Sequence, residues 1–338
     1  MHHPSISNGH LTASVYHYFG ASLAPNTQRS YGVGKNHFIS FCLMHGLIGP
    51  STPLLPASEI TLIYFAAHLA KTISYTSIKL YLVGVHDLHR QLNFPLKLHK
   101  MYRLQKVLTG IKRSQNPKKL SRYPITIQIL SSIFNYFQPS LSCNVDHIML
   151  WAAFTLAFFG FLRSSEFTCN GTPFNPTVHL CTRDITFIPN IESPDHMLVT
   201  IKQSKTDPFR KGCTLTIARS TTSICSVMAM RDYLLQRKPA ATGPLITFAN
   251  GKWLSRASLT KELRSTLQHC GLPAEHYFTH SFRIGAATTA AAAGIPSWLI
   301  KVLGRWSSDC YERYVRTPQE TLLAVSKKLV TDHSITVI

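Results

Sequence analysis

Side chains able to do chemistry stand in short, widely separated stretches of this sequence. In THSFRIGAATTAAAAG, residues 279–294, Thr279 is placed to cap a helix and Gly294 to stop it. His280 and Arg283 then fall one turn apart on one face, beside a helix N-terminus whose N–H groups and positive dipole end suit a phosphate. A His-x-x-Arg pair alone is weak evidence, because both residue types are common on surfaces. Upstream, AFFGFLRSSE sets Arg163 at the end of an apolar helix with Glu166 three residues on. Burying that guanidinium is costly without an anionic partner, which Glu166 or a ligand would supply. Downstream, Pro296 opens SWLIKVL and Gly304 ends it; GRWSSDCYERYVR follows, with Ser307 or Ser308 placed to cap a helix bearing Tyr311 and Tyr314. Lys205 lies in SKTDPFRKG, a polar turn between two alternating, β-branched runs, HMLVTIKQ and CTLTIARS.

The elements that must carry these residues follow from periodicity. The spacing predicts helices from Asn26-Thr27 to Leu43 with Tyr31, Phe38 and Phe41 inward, and after Ser58 with Ile63, Ala66, Ala67 and Ala70 inward. A third is predicted around Ile78, Tyr81, Leu82, Val85 and Leu88, and a fourth on the stripe Met101, Leu104, Leu108 and Ile111. Helices are also expected over Pro124–Phe137 and Asp146–Glu166, then a small sheet, then helices again from about Ile224. The break falls in SQNPKKLSRYP, polar, basic and holding two prolines. Residues 1–113 are therefore expected as a helical domain, 114–123 as a basic linker, and 124–338 as a mixed domain, mostly α with a small antiparallel sheet.

Charge points to the partner. Lys and Arg number 35 against 15 Asp and Glu, a formal charge of +20, in a chain that is 45% hydrophobic. That balance argues for a folded protein meeting a polyanion: nucleic acid first, an anionic membrane surface second. From Lys97 to Arg122 there are nine basic residues and no acidic one. Lys100, Arg103, Lys106, Arg113, Lys118, Lys119 and Arg122 are the expected phosphate contacts, with Arg103, Lys106 and Arg113 off the apolar stripe. Ile148 to Leu162, the longest apolar stretch, is too short to span a bilayer and reads as a core helix. No signal peptide is expected, and the eight cysteines, without a C-x-x-C pair, read as reduced thiols in an intracellular protein.

FFGFLRSSE, the turn lysine of SKTD, HSFR, and LGRW followed by RY resemble, in order, the motifs of the tyrosine recombinases, the phage-integrase superfamily. The LGRWSSDxxxRYVR form is most similar to recombinases of eukaryotic mobile elements of the Crypton and DIRS types. The resemblance covers most of the chain, although the first domain matches the family's core-binding domain only in size and helical pattern. It implies a site-specific recombinase that cleaves and rejoins double-stranded DNA, with neither metal nor cofactor. Tyr314 would be the nucleophile, forming a 3′-phosphotyrosine link and freeing a 5′ hydroxyl. Arg163 and Arg283 would clamp the non-bridging oxygens, Lys205 would protonate the leaving oxygen, and His280 would serve in proton transfer and phosphate contact. Trp306 fills a position that is His in many members and would donate its indole N–H. Arg305 covers part of that same position, and Glu166 would support. Tyr311 stands as the rival nucleophile.

The resemblance further implies a homo-tetramer on two DNA sites, with Leu322, Val325 and Leu329 on a helix that docks on a neighbour or finishes the chain's own core. It implies a nuclear location if the host is eukaryotic, cytoplasmic otherwise. A type IB topoisomerase and a catalytically silent, element-derived DNA-binding protein are the rival readings; a membrane-surface or small-molecule protein is remote.

Overall fold

The computed structural model describes residues 9–49, 53–116, 121–169, 173–204, 207, 209, 211–316 and 323. Lys118, Lys119, Lys205 and the expected tail positions Leu322, Val325 and Leu329 lie outside them. The chain separates into two compact units, Met1–Lys119 and Leu120–Ile338.

The first unit is helical: α1 (Gly9–Ala21), α2 (Pro25–Met44), α3 (Glu59–Leu69), α4 (Tyr75–Gln91) and α5 (Tyr102–Gln115). Helix α1 was not anticipated, and its Leu11, Val15, Tyr16, Tyr18 and Phe19 are all exposed. Helix α2 starts at Pro25 rather than at an Asn26 or Thr27 cap, since proline at the first position loses no N–H that the helix needs. Ser58 caps α3, accepting from the Thr61 N–H at 3.1 Å. The buried face of α3 is Leu62, Phe65, Ala66 and Leu69, one residue round from the expected stripe, because the larger Leu and Phe side chains take the core. Leu104 and Leu108 of α5 are buried, while Lys100, Arg103, Lys106 and Arg113 are exposed. Helix α5 runs on to Gln115, past the expected start of the linker. The Gln115 amide is tied down there, accepting from the Tyr75 N–H at 2.6 Å and donating to the carbonyls of Ala70 and Ile73.

The second unit is built on α7 (Val145–Phe159), buried along Ile148–Phe158. Asn144 caps it through the N–H groups of Asp146 and His147. Helices α6 (Ile127–Phe137), α8 (Ser164–Phe167), α9 (Ser226–Arg237), α10 (Arg256–His269), α11 (Ser281–Ala292) and α12 (Ser297–Gly304) complete its helical part. An antiparallel sheet of order β1-β2-β3 joins β1 (Ile185–Ile188), β2 (His196–Ile201) and β3 (Cys213–Ala218). The expected hairpin is β2–β3, with Val199 opposite Leu215; β1 is an added edge that sequence reading missed. Met197, Val199 and Ile201 face the core at every second position. The fold is thus mainly helical with a small antiparallel sheet, as expected. No helix among the described residues is long and apolar enough to cross a membrane.

Three boundaries near the site differ from expectation. The helix expected over Asp146–Glu166 is two: α7 ends at Phe159, and Phe161 turns the chain with φ +48° before Arg163 caps α8. The Leu162 N–H closes that end onto the Ala157 carbonyl at 3.0 Å, a Schellman-type stop with phenylalanine where glycine is usual. Helix α11 begins at Ser281, so His280, not Thr279, holds the cap position. The segment around Tyr311 is a short 3₁₀ turn, Asp309–Arg313, with Tyr314 just after it.

Candidate active site

The turn at Gly160–Phe161 has a purpose visible in its carbonyls. Arg283 of α11, fully buried, donates from Nη1 to the Phe161 carbonyl and from Nη2 to the Gly304 carbonyl. Arg305 donates to the Gly160 carbonyl at 3.1 Å and to the Phe161 carbonyl at 3.3 Å. A left-handed residue at Phe161 aims these acceptors at two guanidiniums, and backbone dipoles hold charges that water no longer reaches.

Glu166 is the ionic centre. Its side chain is 0% exposed, with Arg163 Nη1 at 2.9 Å and Arg305 Nη2 at 2.7 Å. The Ser204 hydroxyl donates to it at 2.8 Å and the Arg163 backbone N–H at 2.9 Å. Burial alone would raise its pKa, but Arg305, the Arg163 N–H, Ser204 and the Arg163 charge outweigh it and hold the carboxyl below its ordinary value. One carboxylate against Arg163, Arg283 and Arg305 leaves two positive charges uncompensated within this group. An anion is the natural complement.

The aromatic side follows from α12. Arg305 caps that helix in the left-handed region, φ +56°, which folds Trp306 back over Gly304. Only glycine fits there: a Cβ on Gly304 would collide with Cζ3 of the Trp306 ring. The Arg283 guanidinium carbon lies 4.1 Å from the Trp306 ring centre and 5.7 Å from that of Tyr314. Tyr314 sits 5.0 Å, ring to ring, from both His280 and Trp306. Thr288 of α11 holds that segment, donating to the Tyr314 carbonyl at 3.2 Å and accepting the Arg316 N–H at 3.0 Å. Tyr311 is buried, 6.2 Å from Trp306 and 5.8 Å from the Lys301 amine.

Three polar groups here await partners. The Trp306 indole Nε1, the Arg283 Nε and the Arg305 Nε are buried without a hydrogen-bond acceptor among the described residues. A buried donor left open costs about 1–3 kcal/mol, which a bound oxygen would relieve. Burial, then the charges of Arg283, Arg122, Arg163 and Arg256, push His280 down to about 4, so its imidazole is neutral at pH 7. Burial and the neighbouring Arg163 and Arg305 also lower Arg283, which nonetheless stays charged at neutrality.

Of the expected site residues, Arg163, His280, Arg283, Trp306 and Tyr314 are brought together. Among the expected phosphate contacts of the second unit, Arg122 is exposed and stacks 5.5 Å from the Phe278 ring. Its segment is anchored where the Ile125 N–H meets the Ser281 carbonyl, against Gly285, whose bare Cα admits that backbone. Sequence reasoning passed over Ser204. Its one signal was position, next to Lys205 at the mouth of the hairpin turn.

Neither a protein-family model nor a curated protein sequence matches this chain. Solved structures do. The XerH site-specific recombinase in a post-cleavage complex with palindromic difH substrate aligns with TM-score 0.63 at 14% identity, over 90% of this chain and 79% of that one. The Tn1549 transposon integrase with transposon right-end DNA gives 0.57 at 13%, over 95% and 98%. A lambda integrase dimer on a COC′ core site gives 0.52 at 16%, over 91% and 77%. The chain has the tyrosine-recombinase fold.

Proposed function

We propose that this protein is a site-specific DNA recombinase or integrase that cuts and rejoins double-stranded DNA through a 3′-phosphotyrosine intermediate. The observation that carries the reading is the seat of Tyr314: its ring adjoins His280 and Trp306 and lies over Arg283. The phenol oxygen of Tyr314 attacks the scissile phosphorus, and the bond to the 5′ oxygen breaks. Neutral His280 is poised to take up or pass on the phenol proton. Arg163 and Arg283 stabilise the charge that builds on the non-bridging oxygens, where each such donor is worth roughly 10²–10³ in rate. The open Trp306 indole N–H supplies a further donor. Lys205 supplies the proton to the leaving 5′ oxygen, and the 5′ hydroxyl later reverses the step on a second strand.

The solved structures that share the fold were captured on DNA, which supports DNA as the partner. Four copies across two DNA sites, kinship with Crypton- and DIRS-type elements, and a nuclear location in a eukaryotic host belong to the same reading.

The test is covalent capture. The full chain is mixed with a pool of nicked duplexes of randomised sequence, in which the cleaved fragment diffuses away and traps the adduct. Wild type and Tyr311→Phe give a denaturant-resistant protein–DNA adduct, and Tyr314→Phe gives none. An adduct lost only in Tyr311→Phe moves the nucleophile. DNA binding with no adduct from the wild type overturns the enzymatic reading in favour of a binding protein.

A further inference from the structure

The Arg163 guanidinium meets Glu166 through one nitrogen, not two. Nη1 donates to Glu166 Oε1 at 2.9 Å and to Ser204 Oγ at 2.9 Å, and the Ser204 hydroxyl donates onward to the same Oε1 at 2.8 Å. The three groups close a triangle. Guanidinium and carboxylate otherwise favour a two-pronged pairing that engages both forks. Here the second carboxylate oxygen is already occupied by Arg305 Nη2 at 2.7 Å and by the Arg163 backbone N–H at 2.9 Å. A carboxylate offers about four acceptor positions, and these four donors fill them.

The consequence falls on the rest of the Arg163 side chain, which is 13% exposed. Among the described residues, neither its Nε nor its Nη2 has a protein acceptor. Arg283 and Arg305, by contrast, have both terminal nitrogens engaged by carbonyls or by Glu166. Of the three guanidiniums, Arg163 is thus the one with a terminal nitrogen to spare among the described residues, whereas Arg283 and Arg305 keep only a buried Nε open.

We infer that Ser204 is a positioning residue: its hydroxyl holds Arg163 in one-nitrogen contact with Glu166 and so keeps Nε and Nη2 free for a non-bridging phosphate oxygen. This role rests on the recombinase reading. Without the hydroxyl, Glu166 loses a donor and Nη1 loses an acceptor. A second guanidinium N–H of Arg163 then turns to the position left open on Oε1, away from the phosphate.

The experiment compares wild type, Ser204→Ala and Ser204→Thr, as full chains, on a nicked duplex recovered from the adduct pool. Single-turnover adduct formation, DNA affinity and thermal unfolding are measured for each. Ser204→Ala is expected to slow adduct formation by about ten-fold or more, with DNA affinity within about two-fold of wild type and the same melting temperature. Ser204→Thr, which keeps a hydroxyl, restores most of the rate. The inference is overturned if Ser204→Ala reacts at the wild-type rate, if Thr is as slow as Ala, or if rate, affinity and melting fall together. A wild type that makes no adduct refutes the recombinase reading itself, a result distinct from these.

Discussion

The Arg283 guanidinium lies against the Trp306 indole, 4.1 Å from its ring centre, and is fully buried. On the recombinase reading, a phosphate reaches Arg283 as the indole shifts or offers its own N–H alongside.

Trp306 should report on that event. Adding DNA is expected to change tryptophan emission, and Trp306→Phe should abolish the change while Trp151, Trp253 and Trp298 remain. Trp306→Phe also deletes the open indole donor, so adduct formation should slow by about ten- to a hundred-fold with little loss of DNA affinity. An undiminished emission change in Trp306→Phe would sink the assignment.

Gly304→Ala is expected to be far more damaging than an ordinary helix-end substitution. Its Cβ would occupy the space of Trp306 Cζ3, so the indole must leave its place over Arg283. Overpacking of this kind costs about 1–3 kcal/mol or more. Denaturant unfolding measures the loss, and the near-ultraviolet dichroism of the indole should weaken in parallel.

Stability should fall on mild acidification. His280 titrates near 6.5 unfolded and near 4 folded, so below pH 6.5 the unfolded chain gains a proton that the folded one refuses. The contribution is whole above pH 6.5 and is lost as pH falls towards 4, by up to about 2–3 kcal/mol. His89, His147 and His179, lowered chiefly by burial, act in the same sense. Glu166, held below its ordinary value, adds its loss only beneath about pH 4.5. Denaturant titrations at about pH 7, 5.5 and 4.5 should show a shallower fall in His280→Gln.

Binding to DNA should weaken steeply with salt, since displaced counterions drive phosphate-dominated association. Arg103 and Lys106 are exposed on α5, off its buried stripe. Changing either to Ala should lower the slope of log affinity against log salt by about 0.9 for each phosphate it no longer neutralises. An unchanged slope in the double variant would remove α5 from the DNA-facing surface.

Parts of this molecule were legible from local pattern. The alternation in HMLVTIKQ and CTLTIARS foretold the β2–β3 pair, and the apolar run from Ile148 foretold a core helix, because periods of two and 3.6 are written in consecutive residues. Periodicity alone runs α7 straight through Phe161. Nothing local marks that phenylalanine as left-handed; its conformation is held by Arg283 and Arg305, which come 122 and 144 residues later to claim its carbonyl. The inward face of α3 slipped by one residue for a similar reason, two neighbouring stripes being almost equally apolar.

By itself, the sequence determined the charge excess, the helical frame, and the order in which an arginine, a His-x-x-Arg pair, a tryptophan and two tyrosines occur. Only the tertiary structure decided that Tyr314 rather than Tyr311 meets His280, that one buried carboxylate serves two arginines, and that Ser204 stands between. Backbone periodicity depends on neighbours along the chain. Side-chain chemistry at a site depends on which distant segments cross, and that is set by how the whole core packs.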